Sequence, residues 1–200
     1  TPNTTGTIVP ESACAGEVLQ LTAVVDQDLM IGAPVACAAA NNPVPLVDDS
    51  ATPSTSIFVV SGQPSGVITD ASQLGDICLD LEHSYMGDLV ISITCPNGQS
   101  TILHQQGGGG TFLGDANDSD GSLIVPGGCF QYCFSTAPDY GTLVSAVGAN
   151  EVPTSQGTAI APGRYASLQP LSQLVGCPFN GTWTFTSQDL FGADNGYLCG

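Results

Sequence analysis

Residues 78–98 read Cys78-Leu79-Asp80-Leu81-Glu82-His83-Ser84-Tyr85-Met86-Gly87-Asp88-Leu89-Val90-Ile91-Ser92-Ile93-Thr94-Cys95-Pro96-Asn97-Gly98. Leu79, Leu81 and His83 recur at every second position, and Leu89, Ile91 and Ile93 repeat the pattern after a short interruption. A period of two is the signature of a strand with one buried face. Met86-Gly87 lies at the midpoint, where glycine supplies turn conformations that other residues resist. The stretch is therefore expected to form a β-hairpin that sets Cys78 opposite Cys95, within reach of a cross-strand disulfide. Pro96-Asn97-Gly98 ends the second strand with strong turn chemistry.

The same stretch carries a family resemblance. His83-Ser84-Tyr85-Met86-Gly87-Asp88-Leu89, followed by Cys95-Pro96-Asn97-Gly98-Gln99-Ser100-Thr101-Ile102-Leu103, resembles the P domain of proprotein convertases, with its H-x-x-x-G-D-L, P-x-G-T and following leucine. A second patch, Asn180-Gly181-Thr182-Trp183-Thr184-Phe185 through Asp189 to Asp194-Asn195-Gly196-Tyr197-Leu198, resembles the closing signature of that family. The two patches occur in the family's order. Gly107–Gly110 before Thr111-Phe112-Leu113-Gly114, and Leu174-Val175-Gly176-Cys177-Pro178, are similar to the version found in large secreted surface proteins of Bacteroidetes, gliding-motility adhesins among them. The resemblance implies an all-β fold, a jelly-roll-type antiparallel β-sandwich with long loops. It covers residues 56–200, leaving 1–55 as an appended strand-and-loop segment or a linker from a preceding module. After Gly196-Tyr197-Leu198 the family continues along a final strand; the resemblance implies either that the domain is truncated or processed here, or that a neighbouring molecule supplies the missing pairing at an open sheet edge.

Composition agrees with that class. Apolar residues make up 42% of the 200-residue chain, and 25 Gly and 14 Pro punctuate short apolar runs, as in an all-β domain with many turns. No apolar run reaches the roughly 18 residues a membrane-spanning helix needs. No signal-peptide pattern opens the sequence, as expected for a mature chain or one cut from a longer precursor. The charge is one-sided: 18 acidic residues against a single basic residue, Arg164, for a net charge of -17. Phosphate backbones and anionic membrane surfaces are bound through Lys and Arg, so nucleic acid and membrane partners are not expected. Without lysine there is no isopeptide crosslink, Schiff base or phosphate-binding lysine.

Eight cysteines form an even set, Cys14, Cys37, Cys78, Cys95, Cys129, Cys133, Cys177 and Cys199, with no C-x-x-C pair and only two histidines. That pattern favours disulfides in an exported protein over a zinc site. Proximity suggests Cys14–Cys37, and hairpin register suggests Cys78–Cys95. Cys129 and Cys133 could bond each other across a turn, or each could reach Cys177 or Cys199.

Along the chain, Val18–Val25 is strand-like, whereas the prolines of residues 32–55 argue against regular structure. Strand character resumes at Ser56–Val60, Ser100–His104, Phe130–Phe134 and Trp183–Ser187; the Gly107–Gly110 run reads as a flexible loop. Trp183, Tyr132, Phe130 and Phe134 are expected in the core, and Arg164 beside an acid.

Catalysis is poorly supported. His83 lies in strand alternation and is expected to pack as a structural residue, while His104, at a strand end, is expected to be partly exposed. There is no G-x-S-x-G elbow, H-E-x-x-H or Walker loop. Calcium is the one cofactor with candidate ligands, because it takes several carboxylate and carbonyl oxygens. Asp115-Ala116-Asn117-Asp118-Ser119-Asp120-Gly121 resembles a calcium loop in composition, offering Asp115, Asp118 and Asp120, but fits the EF-hand spacing in neither register. The family resemblance adds Asp88, Asp189 and Asp194. Asp49-Ser50-Ala51 fits a short O-glycosylation pattern of Bacteroidetes at Ser50, and Asn3, Asn117 and Asn180 each open an N-glycosylation triplet. The residues by themselves imply an acidic, exported, disulfide-bonded β protein; the resemblance implies that it is a non-enzymatic, extracellular structural or adhesive module of a larger cell-surface or filamentous protein. Its expected partners are neighbouring modules, copies of the same protein or surface glycans. The alternatives are an accessory domain that stabilises a secreted protease and a carbohydrate-binding module.

Overall fold

A computed structural model describes residues 44–48, 52–118 and 125–200. Twelve strands and one short helix follow in chain order: β1 (Val44–Leu46), β2 (Ser54–Val60), β3 (Ile77–His83), β4 (Leu89–Thr94), β5 (Ser100–Gln105), β6 (Phe112–Leu113), β7 (Phe130–Phe134), α1 (Leu143–Ala146), β8 (Glu151–Pro153), β9 (Thr158–Ile160), β10 (Gly163–Tyr165), β11 (Gly181–Asp189) and β12 (Gly196–Leu198). They build two sheets. One runs β1-β12-β3-β6-β9-β8, with β7 also on β3 and β10 on β7; the other runs β2-β11-β4-β5. Most pairs are antiparallel; β6–β9 and β7–β10 are parallel. The protein is an all-β sandwich, as expected.

The expected hairpin does not form. β3 and β4 lie in different sheets, and the chain crosses between them through Ser84 and Tyr85 and a single 3₁₀ turn at Met86–Asp88. The physical reason lies in the alternation itself. In a hairpin the two apolar faces would cover the same side of one sheet; here Leu79, Leu81 and His83 lie buried on one sheet and Leu89, Ile91 and Ile93 on the other. A period of two says which residues of a strand are buried, not which strand lies beside it.

The disulfides change with the topology. Cys78 bonds Cys133, directly opposite it on β7, instead of Cys95. Cys95, at the end of β4, bonds Cys177. Cys129 bonds Cys199, so the Cys129–Cys133 turn disulfide is also ruled out. Cys14 and Cys37 lie outside the described residues.

The core fills the space between the sheets with Leu79, Leu81, Leu89, Ile91, Ile93, Leu103, Tyr132, Phe134, Tyr165 and Trp183. Trp183 packs on Phe58, ring centroids 6.4 Å apart, and its indole N–H donates to the Phe179 carbonyl at 3.2 Å. Tyr132 satisfies its buried hydroxyl twice, accepting from Gly114 N–H at 2.8 Å and donating to Ile160 O at 2.9 Å. Phe130 is only half-buried, against a small cluster of Phe112, Ala116 and Ala159. Arg164 grips Asp76 through two bonds of 2.9 and 3.0 Å, as expected for the one basic residue.

Three local expectations are corrected. Val44–Leu46 is a strand despite Pro45, because β1 is an edge strand, paired only to β12 and so tolerant of a missing N–H. With β1 on one side and β3 on the other, β12 is not an open edge. The Gly107–Gly110 run is packed rather than flexible: Gly109 O accepts from Gly87 N–H at 3.0 Å. Gly108, at φ 87°, backs onto the Met86 methyl so closely that a Cβ would collide with it.

Candidate functional site

The sandwich end where β3 passes into β4 gathers the chain's chemically capable residues. β3 ends with His83, β4 begins beside Asp88, and β11 ends with Asp189; the Asp194-Asn195 turn leads into β12, and Asp48 follows β1. The register explains the convergence. His83 sits opposite Gly196 of β12, and Asp189 opposite Leu89 of β4. Gly196 is required there, because a Cβ would strike the His83 ring.

His83 and Asp189 form a hydrogen bond with both side chains fully buried, Nε2 to Oδ2 at 3.0 Å. His83 Nδ1 accepts the Tyr85 backbone N–H at 3.0 Å. That bond leaves the ring proton on Nε2, where it is donated to Asp189. Asp189 Oδ1 accepts Phe191 N–H at 3.1 Å. Both imidazole nitrogens and both carboxylate oxygens are thus committed, and none is left to activate a hydroxyl nucleophile in the manner of a catalytic triad. His104 is buried, against the expectation of partial exposure, with its ring turned towards the β3–β4 crossing. Its Nε2 lies 3.0 Å from the Met86 carbonyl. Burial holds its pKa below the usual histidine value, the bond to Met86 opposing and the nearby His83 adding to the effect. The two histidines therefore brace the crossing: one accepts from Tyr85, the other meets the carbonyl of Met86.

Asp88 is buried behind the same crossing, and its carbonyl accepts Leu190 N–H at 3.1 Å. Burial, then the negative charges of Asp189 and Asp194, push its carboxyl above the usual range, with His83 opposing. Asp194 lies 3.5 Å from Ser84 Oγ. Asp48 Oδ2 accepts the N–H of Ala193, a non-glycine residue at φ 88°, at 3.2 Å. Its Oδ1 is buried with no hydrogen-bond partner. The structure thus brings the expected Asp88, Asp189 and Asp194 to one end of the molecule and adds Asp48. Among the described residues, however, no three His, Cys, Asp or Glu side chains converge in a geometry that could hold a metal.

The second acidic segment is separate. Asp115 Oδ1 is taken by the N–H and hydroxyl of Ser155, both at 2.8 Å, and these bonds hold its pKa low. Asp118 N–H donates to Gln156 Oε1 at 3.1 Å. Asp120 and Ser50 lie outside the described residues, as does Asn3. Asn117 and Asn180 are both used structurally: Asn180 clasps the Gln63 backbone with bonds of 3.0 and 2.8 Å, and Asn117 bridges Val125 O and Gln156.

Glu82 is the residue that sequence alone does not flag. It occupies the polar phase of β3, the side expected to face water, yet it is buried. The segment on either side of residues 119–124 folds over it, with Gly127 and Asn117 N–H groups bonding its carboxylate. Burial dominates and raises its pKa from 4.5 to about 7. Because the folded-state value lies above the unfolded one, the fold binds a proton that the unfolded chain has released. Stability is therefore full below about 4.5, falls as pH rises towards about 7, and stays reduced above it. Glu82→Gln mimics the neutral acid and should raise stability at pH 8 by about 2 kcal/mol, allowing for solvent screening, with no gain at pH 4. Chemical denaturation at both pH values checks this; equal effects would show that Glu82 titrates normally.

The fold and this site define a disulfide-bonded all-β sandwich whose histidines and aspartates brace a crossing between sheets. Residues 76–122, which run from β3 through β6 into the acidic segment, match the proprotein convertase P-domain family, giving the protein a P-domain-like β fold. No curated protein and no solved structure matches the chain. Among the described residues no helix is long and apolar enough to cross a membrane.

Proposed function

We propose that the protein is a non-enzymatic extracellular module, structural or adhesive, of a larger cell-surface or filamentous protein. The observation that carries this reading is the set of three disulfides among the described residues, which join positions 55, 82 and 70 residues apart. Such crosslinks suit an oxidising environment and limit how far the chain can extend under load. The commitment of both His83 ring nitrogens to Asp189 and the β3–β4 crossing supports a non-catalytic role. The P-domain match itself favours a second reading, an accessory domain that stabilises a secreted protease. A subtilisin-like domain encoded upstream in the same reading frame would decide for it; repeated adhesive modules would decide against it.

Calcium enters the proposal through Asp48. Its Oδ1 is buried without a hydrogen-bond partner beside the Ala193-Asp194 turn, which is the kind of oxygen a hard cation takes. Asp48 and Asp194 would be the side-chain ligands, with backbone carbonyls and water completing the oxygen shell. Asp189 does not fit, because both of its oxygens are already bonded. A bound ion would neutralise the clustered carboxylates and tie the end of β1 to the start of β12. Thermal melting in millimolar Ca²⁺ against chelator is expected to show a stabilisation that Asp48→Asn removes. A flat response would remove calcium from the proposal. Turnover of any substrate in a peptidase and glycosidase panel would overturn the non-enzymatic reading.

A further inference from the structure

The five sheet edges among the described residues are not protected alike. β1 is three residues long and contains Pro45. β8 is equally short and carries Glu151 and Pro153. On β10, Arg164 O is capped by the N–H groups of Asp139 and Tyr140. On β5, Ile102 and Leu103 carbonyls accept from Gln169 and Leu168, and Ile102 N–H donates to Gln169 Oε1. Short length, proline, charge and covering loops are the usual devices that keep an edge from pairing with another chain.

β2 has none of them. It runs seven residues, Ser54-Thr55-Ser56-Ile57-Phe58-Val59-Val60, with no proline and no charge, and among the described residues it pairs only with β11. Ile57 and Val59 are each 59% exposed. Charge is also absent from the rest of its sheet: β11, β4 and β5 carry one acid, the buried Asp189, and one histidine, the buried His104. In a chain of net charge -17, this sheet is where a second, equally acidic copy can approach with least repulsion.

We propose that β2 is a self-association edge, pairing antiparallel with β2 of a second copy about a twofold axis through Ile57. The unpaired backbone groups of an edge strand call for an extended strand as occupant, and β2 is self-complementary in this register. Ile57 meets Ile57 of the second copy and Thr55 meets Val59 on the outer face; Ser56 meets Phe58 on the inner one. The join makes one continuous eight-stranded sheet from two four-stranded ones. β-branched cross-strand pairs of this kind stabilise antiparallel sheets. An isologous twofold contact closes on itself and yields a dimer rather than an open fibre. The pairing rests on β2 alone and not on the functional reading above.

The test is analytical ultracentrifugation of the 200-residue chain over a wide concentration range, with Ile57→Lys and Ile57→Glu made separately. Ile57 points outward, so neither change disturbs the core. The wild type is expected to form a concentration-dependent dimer that tightens as salt screens the net charge. Each variant alone is expected to be monomeric, since it sets like charges opposite each other, and an equimolar mixture of the two should recover the dimer. A wild type that stays monomeric at millimolar concentration would overturn the proposal. So would a dimer that persists in Ile57→Lys, or a mixture that remains monomeric while both variants melt like the wild type.

Discussion

Replacing Cys95 and Cys177 together by alanine is expected to cost about 4 kcal/mol of stability at neutral pH, by the loop-closure argument alone. The bond closes a loop of 82 residues, among the longer loops for which crosslinking most restricts the unfolded chain. Both cysteines are also buried, 3% and 0% exposed, so losing their sulfurs leaves small cavities that add to the loss. The bond fastens the end of β4 to the segment that leads into β11 through Pro178 and Phe179, and β4 and β11 are neighbours in the four-stranded sheet. Urea unfolding of the double variant against the wild type measures the effect, and a non-reducing peptide map checks the connectivity. A loss below 1 kcal/mol, or a peptide joining Cys78 to Cys95, would contradict the crossing of the chain between sheets.

The second large effect falls on the His83–Asp189 pair. His83→Ala strips Asp189 of its 3.0 Å imidazole donor and leaves a carboxylate, on a residue 1% exposed, with only the Phe191 N–H. Breaking one partner of a buried pair in this way costs about 3–5 kcal/mol. The same change deprives Tyr85 N–H of its acceptor, so the damage should be concentrated at the crossing between β3 and β4. Hydrogen exchange is expected to show protection lost first at Tyr85 and Met86. Asp189→Asn gives a more selective readout. It keeps the shape but removes one of the charges that hold the Asp88 carboxyl high, so Asp88 should titrate lower, as followed by carbon NMR. An unchanged Asp88 titration would mean that burial and Asp194 set it without Asp189.

Much of the strand inventory was legible because alternation is a local property. Leu79-Leu81-His83, Leu89-Ile91-Ile93 and Trp183-Thr184-Phe185 announce buried faces whatever the partners are, and β3, β4 and β11 lie where that pattern sits. The aspartates singled out by family resemblance, Asp88, Asp189 and Asp194, come to one end of the sandwich because β4, β11 and β12 all start or finish there. His104 and Glu82 were not legible. Each owes its burial to a distant part of the chain, the Met86 crossing for one and the neighbourhood of Asn117 and Gly127 for the other. No residue adjacent to either in the chain signals that cover. Asp48 gave no signal either; its significance comes from the Ala193-Asp194 turn, 145 residues away.

By itself, then, the sequence determined an acidic, cysteine-rich, all-β protein: its net charge, its even set of thiols and its period-two runs depend on residue type and spacing alone. Only the tertiary structure decided which strands are neighbours, and with that the disulfide pairs and the buried glutamate. The reason is geometric. A strand's pattern specifies its buried face, but its partners and covering loops are chosen by how two sheets close over a common core.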